Sequence, residues 1–126
     1  MRRGSVIIID ADASRAEILG DAVARRGGHA TWATSGAEAI RLIEQTAHPC
    51  VLVASLADGS PRAFVAWARR NYPSLTLLAA VDDADATTDL YSAGADGVVS
   101  QPLDADRLGA QLDASLRARG HLALAA

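Results

Sequence analysis

The chain contains no lysine; all twelve of its basic residues are arginine. A GxxxxGK[ST] phosphate loop is therefore impossible, and no GxGxxG occurs either, so the readings as a nucleotide or flavin protein are weak. The single cysteine, Cys50, excludes an internal disulfide framework. Cys50, His48 and His29 lack metal-ligand spacing and read as a core thiol and two loop or strand-end histidines. Half of the residues are hydrophobic, yet no uncharged run approaches the ~18 residues a membrane span requires. Arg2 and Arg3 do not open a signal-like segment, because Asp10 and Asp12 interrupt the apolar stretch that follows. A cytoplasmic protein is expected. The net charge of −3 argues against direct nucleic-acid binding. No repeat, linker or low-complexity stretch interrupts the 126 residues. That is the size of one domain, expected over residues 1–120 with a tail or linker stub at 121–126.

What is present is a regular alternation of apolar runs and amphipathic stretches. Ser5 to Ile9 is short, β-branched and continuous, the pattern of a strand buried on both faces. The next stretch places Ile18, Leu19, Ala22 and Val23 on one helical face and ends at Gly27-Gly28. His29 to Ala33 predicts a second strand. Ser35 and Glu38 form a capping box for a helix with Ala39, Ile40 and Ile43 inward. Cys50 to Ala54 predicts a third buried strand. After a loop, Ser60-Pro61 opens a helix carrying Phe64, Val65 and Ala68. Leu75 to Ala80 is the fourth strand, followed by a short helix ending at Ala93-Gly94. Val98-Val99 centres the fifth strand, and Leu108, Leu112 and Leu116 line the last helix. The prediction is α/β: a doubly wound (βα)5 parallel sheet, flavodoxin-like, with strand order 2-1-3-4-5.

In such sheets ligands meet the carboxyl ends of the strands near the topological switch point. This gathers Asp10, Ala11, Asp12, Ser55 and the loop through Asp58, with Val81, Asp82, Asp83 and Gln101 around them. The pocket is expected to be acidic on one side and to hold no cation.

These segments resemble a response-regulator receiver domain. The resemblance is carried by Val6-Ile-Ile-Ile-Asp10, by Pro49 to Leu56, and above all by Ala93-Gly94-Ala95-Asp96-Gly97-Val98-Val99-Ser100-Gln101-Pro102-Leu103. It implies an aspartyl phosphoacceptor after the third strand, two acids after the first that help hold Mg²⁺, a lysine after the fifth, a hydroxyl after the fourth and a switching aromatic in the fifth. This chain departs at nearly every such place. Ser55 matches the phosphoacceptor, and Ala11 the second acid, with Asp12 one residue farther on. Gln101 matches the lysine, and Val98 the aromatic. The hydroxyl falls within Ala79-Ala80-Val81, taken as Ala80. Serine cannot form an acyl phosphate, and its hydroxyl is a poor nucleophile without a base. Without metal or lysine the phosphoryl charge stays uncompensated.

The resemblance therefore implies a pseudo-receiver: no enzyme, no cofactor and no metal. It would act in a two-component-type pathway through contact with a signalling protein, a fused effector domain or a second copy, with no membrane attachment. The resemblance places the contact face on Leu90, Tyr91, Asp96, Val98, Asp104 and Arg107. The alternative is a small-ligand sensor in the vacated pocket beside Asp10.

Ser55 reads as a small polar strand end rather than a kinase target. Asp58 reads as a turn residue before Gly59. Arg25-Arg26 and Arg69-Arg70 read as complements of helix dipoles, as do Asp82, Asp83 and Asp85 at a helix start. Trp32 and Trp67 read as partly buried packing residues.

Overall fold

The computed structural model describes residues 4–46, 50–100 and 104–120. Five parallel strands, β1 (Ser5–Ile9), β2 (His29–Ala33), β3 (Cys50–Val53), β4 (Thr76–Val81) and β5 (Gly97–Ser100), form one sheet in the order β2-β1-β3-β4-β5. Five helices connect or follow them: α1 (Ala13–Arg25), α2 (Gly36–Gln45), α3 (Pro61–Asn71), α4 (Thr87–Ala93) and α5 (Ala105–Ala118). A short 3₁₀ turn, Ala84–Ala86, leads into α4. Architecture and strand order are those the sequence predicts.

Because side chains alternate across a strand, the continuous apolar runs feed two cores. Val6, Ile8, Cys50, Leu52, Leu78 and Ala80 face one side and pack with Leu19 and Val23 of α1 and Leu108, Leu112 and Leu116 of α5. Ile7, Ile9, Val51, Val53, Leu77 and Ala79 face the other, against Ala39 and Ile43 of α2, Phe64 and Val65 of α3 and Leu90 of α4. Ile18 departs from the predicted inward face of α1: it is 52% exposed. The buried stripe of α1 runs through Ala16, Leu19, Ala22 and Val23, and Ile18 falls beside it.

Local chemistry sets the helix ends. Asp12 caps α1 by accepting from the amides of Ser14 and Arg15. Ser35 accepts from the Glu38 amide at 3.2 Å, and Ser60 from the Ala63 amide at 3.2 Å, with Pro61 in the first turn of α3. α4 ends at Gly94, whose φ of 121° favours glycine.

Register then brings the site together. Ile9 pairs with Ala33 on one side and Val53 on the other. The Asp10 amide donates to the Ala33 carbonyl at 2.9 Å, and the Ser55 amide to the Ile9 carbonyl at 3.2 Å. Asp10 and Ser55 thus leave neighbouring strands side by side at the carboxyl edge of the sheet.

Candidate functional site

Asp10 lies at the floor of the carboxyl edge and is fully buried. Burying a carboxylate requires partners, and Asp10 accepts four hydrogen bonds from three residues. Its Oδ1 accepts from the Asp12 amide at 2.9 Å, from Ser55 Oγ at 2.8 Å and from Arg15 Nη2 at 2.9 Å. Its Oδ2 accepts from Arg15 Nε at 2.7 Å. Burial pushes the Asp10 carboxyl up; the bonds from Arg15, the Asp12 amide and Ser55 more than offset this and hold it below the ordinary carboxylate range. Hydrogen bonding to Asp10 raises the Arg15 guanidinium above its ordinary value, against the opposing effect of burial.

Arg15 corrects the expectation of a cation-free pocket. From the first turn of α1 its guanidinium turns back over β1, and Nη2 also donates to Ser55 Oγ at 3.1 Å. Its Nη1 lies 3.6 Å from Asp82 Oδ1 on the loop after β4. Sequence reasoning missed this residue, although one signal was available. The first turn of α1 holds no acid and carries an arginine instead, where the helix dipole disfavours a cation. An arginine placed against the dipole five residues after a buried aspartate has a reason to be there.

Ser55 is also fully engaged. Its Oγ donates to Asp10 and accepts from Arg15 Nη2 and from the Ala11 amide, the last at 3.0 Å. Ala11 is exposed and offers only that amide. Asp12 spends its Oδ1 on the Ser14 and Arg15 amides at 3.0 and 3.3 Å. Ala80 is buried at the end of β4, packed toward α1 and α5. Gln101 lies outside the described residues.

The resemblance to a receiver domain implies a divalent cation at this edge, and these residues do not fit one. A hard cation needs several free oxygen ligands. Both oxygens of Asp10 are held by the guanidinium, Ala11 supplies no ligand side chain, and Asp12 serves as a cap. Among the described residues no group of three or more His, Cys, Asp or Glu side chains could hold a metal ion.

Asp58 has a larger part than a turn residue. Its two oxygens accept from the Gly36 and Ala37 amides at 2.7 and 3.2 Å, so the loop after β3 caps α2. Those two amide bonds hold its carboxyl below the ordinary range. Trp32 is 45% exposed rather than a packing residue. Its Nε1 donates to the Asp10 carbonyl at 2.7 Å, which ties the edge strand β2 to the pocket. Trp67 is half-buried in a row of rings, 6.1 Å from Phe64 and 5.8 Å from Tyr72.

Of the six residues of the predicted contact face, Val98 is half-buried against the core, and the other five separate into two groups. Tyr91 is 46% exposed, and its Oη accepts from the Val98 amide at 3.3 Å. Asp104 and Arg107 are exposed at the start of α5, where Asp104 is the cap. Leu90 does not share this surface: it is buried in the core. Asp96 does not either. It precedes β5 at the amino end of the sheet, where Arg69, Arg119 and the Leu77 amide each donate to it at 2.8 Å. Arg69 therefore does more than complement a helix dipole.

Comparison with known proteins agrees with this architecture. No protein-family model and no curated protein matches the sequence. Solved structures do match. A protein described as a response regulator from Chloroflexus aurantiacus J-10-fl is 21% identical, with 92% of this chain and 99% of that one covered at a TM-score of 0.86. This is the receiver fold. A response regulator receiver domain protein from Methanospirillum hungatei JF-1 is 16% identical, with 94% and 98% covered at a TM-score of 0.83. The beryllofluoride-activated NtrC4 receiver domain dimer is 18% identical, with 91% and 98% covered at 0.82. No helix among the described residues of this receiver-fold chain is long and apolar enough to cross a membrane.

Proposed function

We propose that the chain is a receiver-like signalling module that works by protein–protein contact, without aspartyl phosphorylation, in a two-component-type pathway of the cytoplasm. One observation carries this reading. The side chain at the tip of β3 is the Ser55 hydroxyl, and the neighbouring carboxylate of Asp10 is paired with Arg15 through two hydrogen bonds. A hydroxyl there forms no acyl phosphate. A depressed, saturated Asp10 is a weak base for activating it. Nucleophile, base and cation stand together, but the cation neutralises the base instead of an incoming phosphoryl group.

The contact face in this reading is the exposed Tyr91, Asp104 and Arg107, with the half-buried Val98 beside Tyr91. The occupant is a signalling protein, a fused effector or a second copy; the NtrC4 receiver is a precedent for a dimer of this fold. The alternative is a sensor of a neutral or amine-bearing small ligand beside Asp10; the pairing of that carboxylate with Arg15 favours the contact reading over it.

The test is incubation with acetyl phosphate and Mg²⁺, followed by intact mass. An unchanged mass is expected. A stable gain of one phosphoryl group, lost in Asp10→Ala, overturns the reading. For the contact face, sedimentation of the wild type against Tyr91→Ala and Arg107→Glu reports any self-association through these residues.

A further inference from the structure

We propose that Arg15 is a built-in ligand of the pocket: it stands in place of an external effector and latches α1 to the loop that leads into α4. This rests on the reading above and names the regulation of the same site.

The guanidinium touches three segments far apart in sequence: Asp10 after β1, Ser55 after β3 and Asp82 after β4. The grip is graded. Toward Asp10, whose side chain is 0% exposed, it is a two-pronged contact at 2.7 and 2.9 Å. Toward Asp82, whose side chain is 76% exposed, it is a single 3.6 Å approach. The inner contact is desolvated and strong, whereas the outer one is screened by water. The inner contact therefore fixes the guanidinium, and the outer one is where the loop can leave or return.

Asp12 holds the Arg15 backbone by capping the amides of Ser14 and Arg15, so the side chain starts from an ordered turn. A group attached to the same chain acts at a constant effective concentration of order millimolar or more, whatever the free effector concentration. A two-state switch responds only to an input that distinguishes its states. Here the input is permanent. The loop from Asp82 into the 3₁₀ turn and the start of α4 is thereby biased toward the arrangement in which Asp82 meets Arg15.

The experiment is amide hydrogen exchange over residues 82–90, with melting temperature, in wild type, Arg15→Ala, Arg15→Lys and Asp82→Asn. Arg15→Ala is expected to raise exchange there severalfold. Guanidinium chloride at low, non-denaturing concentration is expected to reverse the change, because the free ion fits the vacated site; equal sodium chloride is not. Arg15→Lys loses the two-pronged geometry and should behave like Arg15→Ala. Asp82→Asn should raise exchange in the loop with the melting temperature unchanged. Unchanged exchange over 82–90 in Arg15→Ala overturns the latch; if Arg15→Ala does not fold, unchanged exchange in Arg15→Lys overturns it. That failure leaves the functional reading intact as long as wild type remains unphosphorylated by acetyl phosphate.

Discussion

Asp96 Oδ2 lies 2.8 Å from Arg69 Nη2, at the end of the sheet opposite Asp10. Both side chains are largely buried, at 13% and 18% exposure. The same arginine donates to the carbonyls of Gly94, Pro73 and Leu75 at 2.9, 2.9 and 2.8 Å. Arg119 completes the cluster from the end of α5, reaching Asp96 Oδ1 at 2.8 Å and the Pro73 carbonyl at 2.8 Å. Removing Asp96 leaves two arginines without their counter-charge and the Leu77 amide without an acceptor. Asp96→Ala should cost about 3 kcal/mol, measured by urea denaturation. Because the cluster is far from the pocket, the hydrogen bonds of Asp10 should survive, and an unshifted Trp32 indole proton signal checks this.

Gly94 should tolerate no side chain. Its φ is 121°, and a Cβ would stand 2.8 Å from Cγ of Arg69 and 2.9 Å from its Cβ. Gly94→Ala therefore suffers both backbone strain and a displaced Arg69, an expected loss of about 2 kcal/mol or more. An equilibrium unfolding midpoint equal to that of wild type would contradict this account of the turn.

Acid should weaken the fold through Asp10. Its folded-state carboxyl lies below the ordinary value, so its contribution to stability is complete above the unfolded carboxylate range. That contribution is lost as pH falls through the depressed folded value. The expected window opens near about pH 4 and extends downward. Asp58, depressed by its bonds to the Gly36 and Ala37 amides, adds to the same loss with the same sign. In Asp10→Asn the part due to Asp10 should vanish, leaving a shallower dependence of unfolding free energy on pH in this range.

Cys50 should be silent toward thiol reagents while the chain is folded. It is 1% exposed in β3, and burial pushes its thiol well above the ordinary value, so little reactive thiolate is present. Labelling by a disulfide reagent should proceed at the rate of opening of the sheet, and fast labelling in buffer would show that β3 is accessible. The same measurement on Asp96→Ala reports how far that substitution loosens the core.

The sequence alone determined the architecture, because its signals are local and mutually consistent. β-branched runs, inward periodicities and the caps at Ser35 and Ser60 place the elements. Right-handed crossovers then leave few ways to order the strands. It also placed Asp10 and Ser55 together, since both end strands that neighbour each other at the switch point.

What only the tertiary structure decided is where long polar side chains go. The buried charge of Asp10 draws Arg15 inward, and that single rotamer gives the carboxylate at the floor of the pocket its counter-charge. Asp96 is drawn off the predicted contact face by Arg69 of α3 and Arg119 at the end of α5, partners distant in sequence. Leu90 and Ile18 exchanged their expected places for a related reason. A helix's periodicity marks an apolar stripe, but only its final rotation against the sheet determines which side of that stripe is buried.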